Sequence, residues 1–76
     1  MGRIRDYRVI KGIVRWFNET KGFGFIRSDN TEYFVHYREI KAEGFKTLKE
    51  GDQVRFKPEK SPKGPLATEV YHLGVD

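Results

Sequence analysis

The sequence predicts an all-β fold, a small closed or nearly closed barrel of five short strands. Three observations point to it. β-Branched and aromatic residues cluster in five short runs, turn-forming residues separate those runs, and no stretch keeps apolar residues at helical spacing for about eleven residues. Closure is expected because it removes the sticky edges of an open sheet.

The first strand is expected over residues 10–18 (IKGIVRWFN), where Ile and Val precede Trp and Phe. The polar segment 18–22 then turns the chain into a second strand over 22–28, KGFGFIRS from its preceding lysine. Residues 28–31 form a second short connection, leading to a strand over 32–37 (EYFVHY). The long segment 38–52 leaves room for one helical turn, while Gly44 argues against a full helix. A fourth strand is expected over 53–57, the Ser61-Pro62-Lys63-Gly64-Pro65 run is a turn, and a fifth strand covers 66–73.

With 76 residues the chain is one small domain, too short for a large catalytic scaffold. There are no cysteines, which removes disulfides and thiolate zinc sites, and two histidines alone make a metal role unexpected. The opening MGRIRDYRVI has no apolar run after its arginines, so neither a signal peptide nor a membrane span is expected. Cytoplasmic residence follows as the expectation.

Charge is unevenly placed. The net formal charge is +4, yet residues 1–27 hold seven basic side chains against Asp6 and Glu19, while the rest of the chain is nearly balanced. Residues 1–9, with Arg3, Arg5 and Arg8, read as a basic N-terminal arm, and residues 10–74 as the folded domain. A basic face suits a polyanion.

Trp16, Phe17, Phe23, Phe25, Tyr33, Phe34 and Tyr37 all fall between residues 16 and 37. Most aromatic clusters are core, but strand periodicity argues otherwise here. In the second strand Phe23 and Phe25 share one face, opposite Gly22, Gly24 and Ile26. In the third, Phe34 and His36 share a face, opposite Tyr33 and Val35. The aliphatics Ile26 and Val35 mark the inside, which leaves Phe23, Phe25, Phe34 and His36 outside, beside Lys21 and Arg15. Such a patch signals a binding surface, and rings flanked by cations match bases and phosphates of an unpaired strand.

Gly12-Ile-Val-Arg-Trp-Phe-Asn18, Lys21-Gly-Phe-Gly-Phe-Ile26 and Tyr33-Phe-Val-His-Tyr37 together resemble a cold shock domain and its two ribonucleoprotein motifs. The likeness extends through Gly44-Phe-Lys-Thr-Leu48, Glu50-Gly51 and Lys63-Gly64-Pro65, about residues 11–72. The resemblance implies a five-stranded antiparallel oligonucleotide-binding (OB) barrel that binds pyrimidine-rich single-stranded RNA or DNA. It further implies an RNA chaperone and a regulator of transcription or translation. By position it assigns stacking to Trp16, Phe17, Phe25, Phe34, His36, Tyr37 and Phe45, with Phe23 beside them. Cationic contacts fall on Arg15, Lys21 and Lys63, and a polar base contact on Glu32. Departures from the family pattern are Tyr33 for a smaller aliphatic, Tyr37 for Phe, Arg38 for a small Ser and a turn over 28–32 about one residue short.

Phe56 and Tyr71 are expected to pack inside. Gly22-Phe-Gly24 is a lone G-x-G and no P-loop follows, so no nucleotide cofactor is expected. Two other readings compete with the single-strand module: an aromatic face that docks a proline-rich peptide, and a small ribonuclease using His36 or His72. The interspersed cations disfavour the first, and the second conflicts with a stacking His36. The sequence therefore points to a non-enzymatic binding module, expected to be monomeric, with no metal, cofactor, membrane or small-molecule substrate.

Overall fold

The structure is a computed structural model that describes residues 9–41 and 47–73. Five strands, β1 (Ile10–Asn18), β2 (Phe23–Ser28), β3 (Thr31–His36), β4 (Gln53–Ser61) and β5 (Gly64–His72), close into a barrel in the order β1-β2-β3-β5-β4. The β1–β2, β2–β3, β4–β5 and β1–β4 ladders are antiparallel, and β3 meets β5 in parallel at Phe34 and Leu66. One parallel seam is a necessity of counting, because an odd number of strands cannot alternate direction all the way round a closed sheet.

Alternation places Ile26 and Val35 inside as expected. Val14, Ile26, Val35, Ile40, Leu48, Val54, Phe56, Ala67 and Val70 form the buried core, with Ile10, Phe17 and Tyr33 packed against it. Tyr33, where the family pattern has a smaller residue, uses its volume against Phe56, edge to face at 5.0 Å between centroids. Phe56 is a core residue, but Tyr71 is not. It is 37% exposed, because β5 bulges opposite Phe56 and turns Tyr71 outward, where the Arg55 guanidinium lies 4.4 Å from the ring centroid.

Three strands differ from the sequence expectation at their ends. Tyr37 leaves β3 and opens a single 3₁₀ turn, Tyr37–Glu39, capped by the His36 Nδ1 atom, which accepts from the Arg38 N–H at 3.2 Å. β4 and β5 run on to Ser61 and from Gly64, so their hairpin is tighter than the expected five-residue turn. Pro58 and Pro65 are tolerated inside these strands because β1 pairs with β4 only as far as Phe56 and β3 meets β5 only at Leu66, which leaves free edges there.

Candidate functional site

β2 and β3 present their outward rings side by side. Phe23 lies across from His36 and Phe25 across from Phe34, while Trp16 of β1 lies across from Phe25. The rings touch as a connected set: Trp16 to Phe25 at 5.5 Å and to Phe23 at 6.0 Å, Phe23 to Phe34 at 5.6 Å, and Phe25 to Phe34 at 5.7 Å. None belongs to the core. Phe23, Phe25 and Phe34 are half-buried, mostly against one another, and Trp16 is 43% exposed.

A β-bulge decides where Trp16 points. The β1–β2 register shifts between Val14 and Trp16, so Arg15 and Trp16 both face solvent, and Phe17 falls back against the core. Strict alternation from Val14 would have buried Trp16 and exposed Phe17. Gly24 makes this approach possible: a Cβ there would press into the Trp16 carbonyl oxygen and the Phe17 backbone.

His36 and Tyr37 extend the platform as a second ring pair, 4.7 Å between centroids and tilted by 31°. With Nδ1 accepting from Arg38, a neutral His36 carries its proton on Nε2, at the other end of the ring. Tyr37 is 44% exposed and lies over Gly22, whose backbone N–H donates to the Asn18 carbonyl and whose carbonyl accepts from the Tyr37 N–H at 2.8 Å. Gly22 has φ +79°, and a Cβ there would sit 2.6 Å from the Tyr37 ring. Gly22→Ala is therefore expected to cost about 1–2 kcal/mol in backbone strain alone, and to push Tyr37 off its seat. A thermal melt checks this, and an unchanged Tm would refute the steric role of Gly22.

Cations stand around the rings. Lys21 and Lys63 are exposed, and Arg15 pairs with Glu32 at 3.3 Å, both side chains about half exposed. Sequence reasoning named Arg15 and Glu32 separately and missed that they bond to each other. Phe34 also forms one wall of a cleft of about 340 Å³ completed by Ser61, Pro62, Lys63, Gly64, Pro65 and Leu66. The β4–β5 hairpin thus brings Lys63 to the edge of the aromatic platform. Phe45 lies outside the described residues, as do Arg3, Arg5 and Arg8. Among the described residues, no group of three His, Cys, Asp or Glu side chains could hold a metal ion, and no helix is long and apolar enough to cross a membrane.

The arrangement offers flat apolar faces to stack on, edges that supply hydrogen bonds at Glu32 and His36, and positive charge at the rim. Comparison with known proteins adds the following. The model of the 'cold-shock' DNA-binding domain matches residues 10–73. Cold shock-like protein CspA of Vibrio cholerae is 57% identical over 64 residues, covering 82% of this chain and 91% of that protein. Probable cold shock protein A of Mycolicibacterium smegmatis is 52% identical over 62 residues, covering 79% and 92%. A solved structure, "drosophila Unr CSD456", aligns with a TM-score of 0.74 at 21% identity over 92% of this chain and 29% of that one, a likeness of fold.

Proposed function

The chain belongs to the cold-shock DNA-binding domain family, and on that premise we propose that it binds single-stranded RNA or DNA by stacking unpaired bases on the Trp16–Phe23–Phe25–Phe34 platform. The observation that supports this most is the connected set of outward rings, all within 6.0 Å of a neighbour and none in the core. Every base has a π-face, so stacking tolerates sequence, and each stacked base contributes about 1–3 kcal/mol. His36 and Tyr37 lengthen the track, Phe17 contributes from the core side, and Glu32 selects among base edges. Arg15, Lys21 and Lys63 meet phosphates. Phe45 belongs to the same proposal by its place in the family pattern.

A protein of this kind needs no catalytic step. Binding traps bases that are transiently unpaired and so melts weak secondary structure by mass action, which is how an RNA chaperone or a regulator of transcription and translation would act. Pyrimidine-rich strands are the expected ligands, a monomer in the cytoplasm the expected working form.

The test is the fluorescence of Trp16, the only tryptophan, titrated with a short oligothymidine at two salt concentrations. Saturable quenching that weakens with salt is the expected result; no quenching by a folded protein would overturn the reading. Lys63→Ala should weaken binding similarly across sequences and reduce the slope of log K against log salt by about 0.7, the contribution of one single-strand phosphate contact. An unchanged slope would remove Lys63 from the phosphate contacts.

A further inference from the structure

Beyond the rings, the outer sheet surface continues as a second row. On β2, Arg27 stands two residues from Phe25 and so shares its side of the sheet. Arg27 lies directly across from Ile13 of β1, Ile13 is two residues from Lys11, Lys11 lies across from Arg55 of β4, and Arg55 lies across from Tyr71 of β5. All five are exposed, Ile13 by 49%. The row is thus continuous with the aromatic platform and runs away from it across four strands.

Its charges are arranged against their own interest. Lys11 and Arg55 are direct cross-strand neighbours, and like charges in that position repel. Among the described residues neither forms an ion pair. Glu32, across from Arg27, is held by Arg15, and Arg27 itself donates to the Asp29 carbonyl at 3.3 Å. An anion set between Lys11 and Arg55 would turn the repulsion into a shared contact. Beside them, the Arg55 guanidinium lies over the Tyr71 ring at 4.4 Å, a planar, charged surface of the type on which bases stack.

We propose that Lys11, Arg55 and Tyr71 form a second contact for the same single strand, taking phosphate between Lys11 and Arg55 and a base against the Arg55–Tyr71 stack. This rests on the stacking function proposed for the rings. A short strand is satisfied by the platform alone, whereas a longer one reaches this row, in keeping with OB-fold site sizes of about 4 to 16 nucleotides.

The experiment compares hexathymidine and dodecathymidine binding to wild type and to a Lys11→Gln, Arg55→Gln double variant, read by Trp16 fluorescence. Both substitutions are on exposed strand positions, and a thermal melt confirms that the variant folds. Expected is unchanged hexathymidine affinity, about a tenfold loss for dodecathymidine, and a dodecathymidine salt slope smaller by about 0.7, the share of the one phosphate held between the two cations. Tyr71→Leu should reproduce part of the loss with the longer strand and none with the shorter. Equal affinities for both lengths in variant and wild type, or equal losses for both, would overturn the second contact while leaving the platform intact. Failure of hexathymidine to bind wild type would instead count against the platform, and failure of both lengths against both sites.

Discussion

Replacing Phe34 with alanine is expected to weaken oligothymidine binding by about 1–3 kcal/mol, roughly 5- to 150-fold, because one stacking face is lost. Phe34 is the side chain to choose since it meets the rings of both Phe23 and Phe25 and also walls the cleft beside Lys63, so its removal opens a gap in the middle of the track. The fold should survive. Phe34 is half-buried and makes its ring contacts on the outer face, so truncation should cost only about 1 kcal/mol of stability, half of what full burial of such a side chain contributes. Titration and a melt on the same sample check both parts. Unaltered affinity would remove Phe34 from the binding surface, and a collapse of Tm would show it to be core.

Phe56→Ala is the converse. This ring is fully buried at the centre of the barrel against Val54, Val70 and the other core residues, and stands edge to face with Tyr33. Truncation leaves a cavity and should cost about 3–5 kcal/mol. At about 0.05–0.15 kcal/mol per residue, a domain of 76 residues has about 4–11 kcal/mol in all, so this is a large share of its stability and Tm should fall by more than about 12 °C. Because the ligand binds only the folded form, oligothymidine at about a hundredfold its Kd should return about 2.7 kcal/mol and raise Tm again. A modest fall in Tm, comparable to that of Phe34→Ala, would contradict the placement of Phe56. The two aromatic-to-alanine changes thus separate binding from folding on one scaffold.

The different outcomes expected for these two phenylalanines trace to the face of the sheet each occupies, which a strand's own sequence reveals only where alternation is unbroken. Phe34 follows from alternation within YFVHY, which sets it opposite Val35, and Val35 is buried as that pattern requires. Phe23 and Phe25 follow from the same rule against Ile26. Trp16 does not: its outward direction depends on the bulge at Arg15, a register shift created by pairing with β2 that leaves no periodic trace in β1. Tyr71 departs from its expected place inside for the same physical reason. The bulge opposite Phe56 leaves Glu69 with φ +49° and reorients the end of β5, which the pattern of β5 alone does not show.

What the sequence determined by itself is local: five strand segments, the turns between them, and which side of β2 and β3 carries aliphatics rather than rings, because side-chain alternation with period two is a property of each strand. The tertiary structure decided everything that requires two strands to meet. It closed the barrel through the parallel β3–β5 seam, set the bulges that expose Trp16 and Tyr71, paired Arg15 with Glu32, and aligned Lys11, Arg55 and Tyr71 in one row. Register is a relation between strands, fixed by the packing of the shared core and the geometry of closure, and no single segment contains it.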